Sequence, residues 1–308
     1  MVAGEVREIW RYPVKSVGGE KLDSCTVGSL GIPGDRGWAL RDEAIGEIRG
    51  AKYLPKLMEY ASRYREQPTE GEVTHVDITL PDGTCVSSDE QDVNSRLSQL
   101  LERDVSLCSL QPASDKAHYR RAQPGASILS WLSRFRPLRS HLGRLICLAG
   151  LEAPIREMFS RNPDEPLPDF STIPSELFEF TSPPGTYFDA YPIHLLTTSS
   201  LAAMTRLNPA AAWDVRRFRP NFLIETKSGI EGLVEASWGG RILRLGALIV
   251  RCEIPTVRCG MTTHAQAELP KDPTVLRTIV RDAGQNLGIY ASAMNSSRIA
   301  VGDIVELL

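Results

Sequence analysis

The stretch EVREIWRYPVKSVGGEKLDSCTVGSLGIPGDRGWALRD (residues 5–42) alternates short apolar runs with glycine and proline punctuation. Val6–Tyr12, Lys21–Val27 and Trp38–Arg41 read as short strands, with Gly18-Gly19 and Gly31-Ile32-Pro33-Gly34 as tight turns between them. Further on, Val76, Ile78 and Leu80 alternate into Pro81-Asp82-Gly83, and Thr84, Val86 and Ser88 lead out again, the pattern of a hairpin. Ser88 or Asp89 is expected to cap a helix whose apolar face is Val93, Leu97, Leu100 and Leu101, and Val105–Leu110 returns to strand. The first hundred or so residues are therefore expected to be mostly β.

Residues 111–185 are rich in Pro, Ser and Arg, including Arg120-Arg121, the prolines from Pro163 to Pro174, and Pro183-Pro184-Gly185. They read as a connecting segment, although Ser127–Leu151 is apolar enough to pack. Arg120-Arg121 reads as a solvated charge pair, with a position over a pocket as the alternative. Beyond Tyr187 an apolar strand over Ile193–Leu196 runs into Thr197–Ser200 as a helix cap. The helix carries Leu201, Met204 and Leu207 and stops at Pro209. Phe222–Glu225, Ile242–Leu245, Leu248–Arg251 and Ile304–Leu307 read as further strands and Pro273–Ala283 as a helix, which fits a β-barrel with peripheral helices.

A chain of 308 residues is long for one core, so two domains are expected. The formal charge of −3 provides no basic field for a nucleic-acid backbone, which argues against nucleic acid as a partner. Met1–Ile9 lacks a secretory apolar stretch and no run is long enough for a membrane span, so a cytoplasmic protein is expected. Six scattered cysteines, none paired at zinc-site spacing, argue against a disulfide scaffold or a zinc site. The five histidines are equally dispersed, and none forms a metal-binding face with another.

Chemistry concentrates in Arg258-Cys259-Gly260-Met261-Thr262-Thr263, which follows a strand and the break expected at Pro255. A cation such as Arg258 beside a thiol favours the thiolate, the form that attacks electrophiles and binds soft metals. The hydroxyls of Thr262 and Thr263 are candidates to donate to a metal-bound oxo group or an anion. The plain alternative is a small buried cysteine in a core strand.

This Arg-Cys-x-x-Thr-Thr run resembles the central motif of MOSC domains, named for the C-terminal part of molybdenum-cofactor sulfurase and shared with the mitochondrial amidoxime-reducing component. The resemblance implies that Cys259 is the protein ligand to molybdenum or, in an older proposal for the family, a persulfide carrier. Cys252, seven residues earlier, also follows an arginine, but Thr262-Thr263 falls at the expected distance only from Cys259. Tyr12-Pro13-Val14-Lys15-Ser16 and Gly34-Asp35-Arg36 resemble elements of the family's N-terminal β-barrel domain, which implies that Lys15, Ser16 and Arg36 reach the cofactor phosphate. Charge-assisted bonds from Lys and Arg suit that group. Phe218-Arg219-Pro220-Asn221 is a third match, implying cofactor contacts from Arg219 and Asn221. Arg258 is placed with them. Thr197, at a helix start, is a candidate to bind an anion or simply to cap the helix. Gly284-Gln285-Asn286-Leu287-Gly288 and Ile299–Asp303 resemble the closing turns, with Asn286 as a candidate site contact. After Thr263 the chain departs from the family pattern, carrying His264-Ala265-Gln266, where His264 is a candidate proton donor.

The resemblance implies a mixed, β-rich α+β fold: an N-terminal MOSC β-barrel domain over 1–110, a connecting segment over 111–185, and a MOSC β-barrel with peripheral helices over 186–308. It also implies a molybdenum cofactor (molybdopterin) whose dithiolene supplies two further sulfurs. The expected activity is an oxidoreductase acting on a small N-hydroxylated or N-oxide substrate by oxo transfer. With no iron–sulfur cysteine cluster or dinucleotide fingerprint in the sequence, electrons are expected from a separate redox protein. A sulfur carrier or transferase, and a non-catalytic cofactor-binding module, are the alternatives.

Overall fold

The computed structural model describes residues 1–122, 152–169 and 174–308. Cys147, His141 and the apolar run Ser127–Leu151 lie outside the described residues.

The chain is β-rich, as expected, and its first strand sets the architecture. Strand β1 (Val2–Arg11) lies within the span read as the N-terminal domain, yet it hydrogen-bonds to strands from the far end of the chain. Its partners are β11 (Phe222–Thr226) and β16 (Ile304–Leu307), with Ile9 opposite Phe222 and Glu5 opposite Ile304. Between those two run β10 (Ile193–Thr197), β14 (Asn286–Ala293), β13 (Leu248–Val257) and β12 (Ile242–Leu245), so seven strands close into a barrel. Closure removes free sheet edges. Ala3, Val6 and Ile9 face the barrel core with Leu195, Phe222, Leu243, Val250 and Ile289. Their spacing of three rather than two follows from register shifts at Val2/Gly4 and Val6/Glu8.

The run Lys21–Val27, read as one strand, is broken at Asp23. Its first half, β2 (Glu20–Leu22), pairs with β1, whereas β3 (Ser24–Val27) pairs with β15 (Ser297–Ala300). Pro255 does not end β13 as expected. The strand continues to Val257 because proline is tolerated at a bulge, and the register shifts on either side of it.

The remaining N-terminal strands form a second unit. One sheet orders β5 (Glu47–Arg49), β4 (Trp38–Asp42) and β9 (Val105–Ser109), and another β6 (Ala61–Tyr64), β7 (Val76–Thr79) and β8 (Cys85–Ser87). Helix α1 (Val93–Leu101) lays Val93, Leu97 and Leu101 on the core that both sheets share. Neither expected cap starts this helix: the Ser88 hydroxyl accepts from the Val76 N–H, and Asp89 pairs with Arg65. The segment from Tyr12 to Ser16 is the crossing between the units. The Arg36 N–H donates to the Tyr12 carbonyl at 2.7 Å and the Lys15 N–H to the Trp38 carbonyl at 2.8 Å, so the chain leaves the barrel already docked on the second unit.

Short helices α2 (Lys116–Tyr119), α3 (Glu152–Phe159) and α4 (Glu176–Glu179) follow. Helices α5 (Thr198–Leu207) and α6 (Pro273–Asp282) pack outside the barrel through Leu196, Met204, Phe218, Val275 and Ile279. Helix α6 begins as its sequence dictates, with Pro273 in its first turn and the Asp272 carboxylate accepting from the Thr274 N–H. Among the described residues, no helix is long and apolar enough to cross a membrane.

Barrel closure depends on the close approach of β1 and β11. A Cβ on Gly4 would sit 1.9 Å from the Glu225 carbonyl oxygen, so Gly4→Ala must push the two backbones apart. The expected cost is about 2 kcal/mol or more, on the scale of overpacking a core. A urea midpoint equal to wild type would refute this role.

Candidate functional site

A pocket of about 370 Å³, counting its open mouth, lies where the barrel meets the N-terminal unit. Its wall is cationic and aromatic: Arg36, Arg219 and Arg258 face it together with His194, Tyr290 and Met261. Asp189 is the carboxylate among the lining residues.

Arg36 and Arg219 come from distant parts of the chain and converge on Tyr12. Their guanidinium carbons lie 4.6 Å and 4.1 Å from the centre of its ring, within the range of cation–π attraction. Both residues have left-handed backbone, with φ of 52° and 53°, and so does Ser16 at 66°. Non-glycine residues are held there only where surrounding contacts over-determine the conformation, and such strain clusters at functional sites. The contacts that hold them run through Asp35 and Asn221. Asp35 pairs with Arg36 and accepts from the Tyr12 N–H at 2.8 Å and from Asn221 Nδ2 at 2.9 Å. Asn221 Oδ1 in turn accepts from the His194 N–H at 3.0 Å. Asn221 also lines the pocket, while its amide and its oxygen join neighbouring segments.

Arg219 differs. Its Nη1 donates to the Val17 carbonyl at 2.5 Å, while Nη2 is buried with no hydrogen-bond partner. Burial, and then the neighbouring Arg36, bring its pKa down to about 10, so the cation is held at a cost that an anion in the pocket would relieve. Arg258 is also brought down to about 10 by burial. Its donors are in use: Nε to the Leu287 carbonyl, Nη1 to the Phe218 carbonyl and Nη2 to His194 Nε2 at 2.8 Å. Since Nε2 accepts, His194 is neutral and its Nδ1–H points to the Arg219 carbonyl. Burial and Arg258 hold its pKa well below the usual imidazole range.

Other expected contacts are occupied. Lys15 is buried with its ammonium shared among Ser182 Oγ, the Tyr187 carbonyl and Asp189 Oδ1, which account for its three N–H groups. Reaching a phosphate would require Asp189, 63% exposed, to swing away. The Thr197 hydroxyl donates to the buried Glu235 carboxylate and accepts from the Ser200 N–H, so it caps α5. Asn286 donates to the Gly284 carbonyl and does not line the pocket. Arg120 pairs with Glu179, and Arg121 lies 3.9 Å from Glu47, so neither lines the pocket.

Cys259 is half-buried just beyond β13 and precedes the 3-10 turn Gly260–Thr263. Arg258 before it and Met261 after it line the pocket, although Cys259 itself does not. The Thr262 hydroxyl donates to the Cys259 carbonyl at 3.0 Å and that of Thr263 to the Gly260 carbonyl at 2.7 Å. Both protons are therefore spent inside the turn, leaving only hydroxyl lone pairs for anything outside it. Arg217, fully buried, braces the same turn through the Thr262, His264 and Pro270 carbonyls. Cys252 contrasts with Cys259: it lies in the barrel core, and burial pushes its thiol up to about 12. Among the described residues, no three His, Cys, Asp or Glu side chains converge to hold a metal.

Sequence reading overlooked His194, Arg217 and Arg161. A histidine inside the apolar strand Ile193–Leu196 was the available signal, because a polar ring in a buried strand needs partners on both nitrogens. Arg217 and Arg161 lack a local signal, since the contacts that tie them to the Cys259 turn are made with Thr262 and His264 and with Arg258 and Gln285, far along the chain.

Comparison with family models matches residues 3–119 to the MOSC N-terminal beta barrel domain and residues 183–306 to the MOSC domain. No curated protein matches the chain. Among solved structures, the YUAD protein from Bacillus subtilis aligns over 100% of this chain and 96% of its own at 10% identity, with a TM-score of 0.41. YiiM from Geobacillus stearothermophilus aligns at 16% identity over 38% of this chain, with a TM-score of 0.29, and the chain spans about half of its length (54%). YiiM from Escherichia coli is similar at 16% identity, 38% and 54% coverage, and a TM-score of 0.30. With both regions matched in order and the Cys259 turn inside the second, the chain belongs to the MOSC domain family, whose domains are associated with molybdenum-cofactor binding and sulfurase-like proteins.

Proposed function

We propose that this chain binds the molybdenum cofactor in the pocket beside Cys259 and works as an oxidoreductase that reduces small N-hydroxylated or N-oxide substrates. The observation that carries the reading is the buried, unpartnered Nη2 of Arg219, aligned with Arg36 in a pocket next to a half-buried cysteine. A buried cation with a spare donor suits a phosphate, and the pterin cofactor carries one. A lone protein thiolate suits a metal whose other sulfurs arrive with the cofactor.

When bound, the cofactor supplies the two-electron redox chemistry at molybdenum. The protein's residues supply the rest. Arg219 and Arg36 hold the phosphate, Arg258 and neutral His194 keep the pocket wall in place, and Cys259 offers the sulfur ligand. Electrons would come from a separate redox protein, since the sequence carries neither iron–sulfur cysteine spacing nor a dinucleotide fingerprint. In the rival reading Cys259 carries a persulfide, which has no need of the arginine pair.

Two measurements test the proposal. Protein made in a host that synthesises the cofactor is expected to contain near-stoichiometric molybdenum by elemental analysis, lost in Cys259→Ala and retained in Cys252→Ala. Wild type without metal would sink the oxidoreductase and direct attention to persulfide labelling of Cys259. In the second, Arg219→Ala is expected to lower retained pterin about tenfold or more after gel filtration, the scale of one charge-assisted contact to phosphate. Retention equal to wild type would remove Arg219 from the site.

A further inference from the structure

Residues 152–169, between the two family-matched regions, contact the Cys259 turn. Arg161 is buried and spans three acceptors: the Arg258 carbonyl at 2.8 Å through Nη2, Gln285 Oε1 at 3.1 Å through Nε, and the Phe159 carbonyl at 2.9 Å through Nη1. The first belongs to the residue immediately before the cysteine. The second lies on a residue at φ 71° whose own carbonyl receives the Arg258 N–H at 2.9 Å. The peptide group on each side of Arg258 is therefore tied to Arg161 directly or through Gln285.

The neighbouring contacts hold Arg161 against the barrel. Ser160 has left-handed backbone at φ 53°, and its carbonyl accepts from Arg277, which also pairs with Glu165. Gln285 Nε2 donates to the Leu167 carbonyl at 3.2 Å. On the side of the N-terminal unit, Lys52 lies 4.8 Å from the centre of the Phe159 ring. The segment is seated so closely that a Cβ on Gly260 would lie 2.1 Å from Ser160 Oγ. An alanine after the cysteine would therefore have to displace Ser160, whose Cβ would also lie 2.9 Å away.

We propose that Arg161 is a positioning residue for Cys259, and that residues 152–169 form a strap that orients the cysteine-bearing turn and limits access to the thiol. The proposal rests on Cys259 being the functional thiol, and it requires no metal. Arginine suits the task because its planar fork meets three acceptors in fixed directions while lysine offers a single point charge.

The test follows alkylation of the cofactor-free, full-length chain by iodoacetamide, with Cys259, Cys252 and Cys85 quantified as separate peptides by mass spectrometry. Cys85 is exposed and distant in sequence from the strap, which makes it the internal standard. Arg161→Lys keeps the charge but loses the fork, and Gly260→Ala keeps Arg161 while displacing Ser160. Each is expected to raise the Cys259 rate about tenfold, as expected when local opening loses one charge-assisted bond, with the Cys85 rate unchanged and the core thiol Cys252 still protected. A Cys259 rate equal to wild type in both variants would overturn the proposal, and so would Cys252 becoming reactive in step with Cys259, the mark of global unfolding. Because alkylation is read without cofactor, absence of molybdenum from the wild type would remove the redox reading and leave this result intact.

Discussion

Asn221 ties the molecule together at one buried point. Its amide donates to Asp35 and to the Trp10 carbonyl, and its oxygen accepts the His194 N–H, so β1, the Arg36 turn and β10 are joined by one side chain. In an apolar interior each of these groups would cost about 1–3 kcal/mol if left unpaired. The two units are thereby held in one register, and the pocket forms at their seam. The rest of the site depends on that register, since Arg36 is delivered by one unit and Arg219 by the other.

Within the seam, like charges are gathered rather than dispersed. Arg36 and Arg219 both lie over the Tyr12 ring, and Arg258 bonds His194. Crowding and burying cations is unfavourable, and an arrangement of this kind persists where something else over-determines it. Here the backbone does so: Ser16, Arg36 and Arg219 all have positive φ, the Arg36 N–H donates to the Tyr12 carbonyl, and the Arg219 carbonyl accepts from Arg36 Nη2 and from His194 Nδ1. What remains unpaired is the buried Arg219 Nη2, the donor that the proposed phosphate contact would use.

The cysteine turn is governed by a second set of arginines whose donors go to the protein's own acceptors. Arg217 holds it from inside the molecule through carbonyls at Thr262, His264 and Pro270, and Arg161 holds it from the strap. Both use guanidinium forks to collect main-chain acceptors. Irregular loops leave such acceptors behind, because their carbonyls have no ladder partners. The Thr262 and Thr263 hydroxyls complete the pattern by bonding within the turn.

What the sequence determined on its own was local. Turn residues, strand alternation, the Asp272–Pro273 start of α6 and the Arg-Cys-x-x-Thr-Thr run are short-range patterns, and a β-rich fold with a cysteine-bearing loop could be read from them. Which strands pair is a different matter: β1 joins β11 and β16 across more than two hundred residues, and no local pattern encodes that partner. The tertiary structure also decided which polar groups remain free. Lys15, Thr197, Asn221 and Arg258 have the same chemical potential in sequence as Arg219, yet their hydrogen bonds are spent on Asp189, Glu235, Asp35 and His194. A donor can serve a ligand only if folding leaves it unpaired, and that outcome is settled by contacts between segments far apart in the chain.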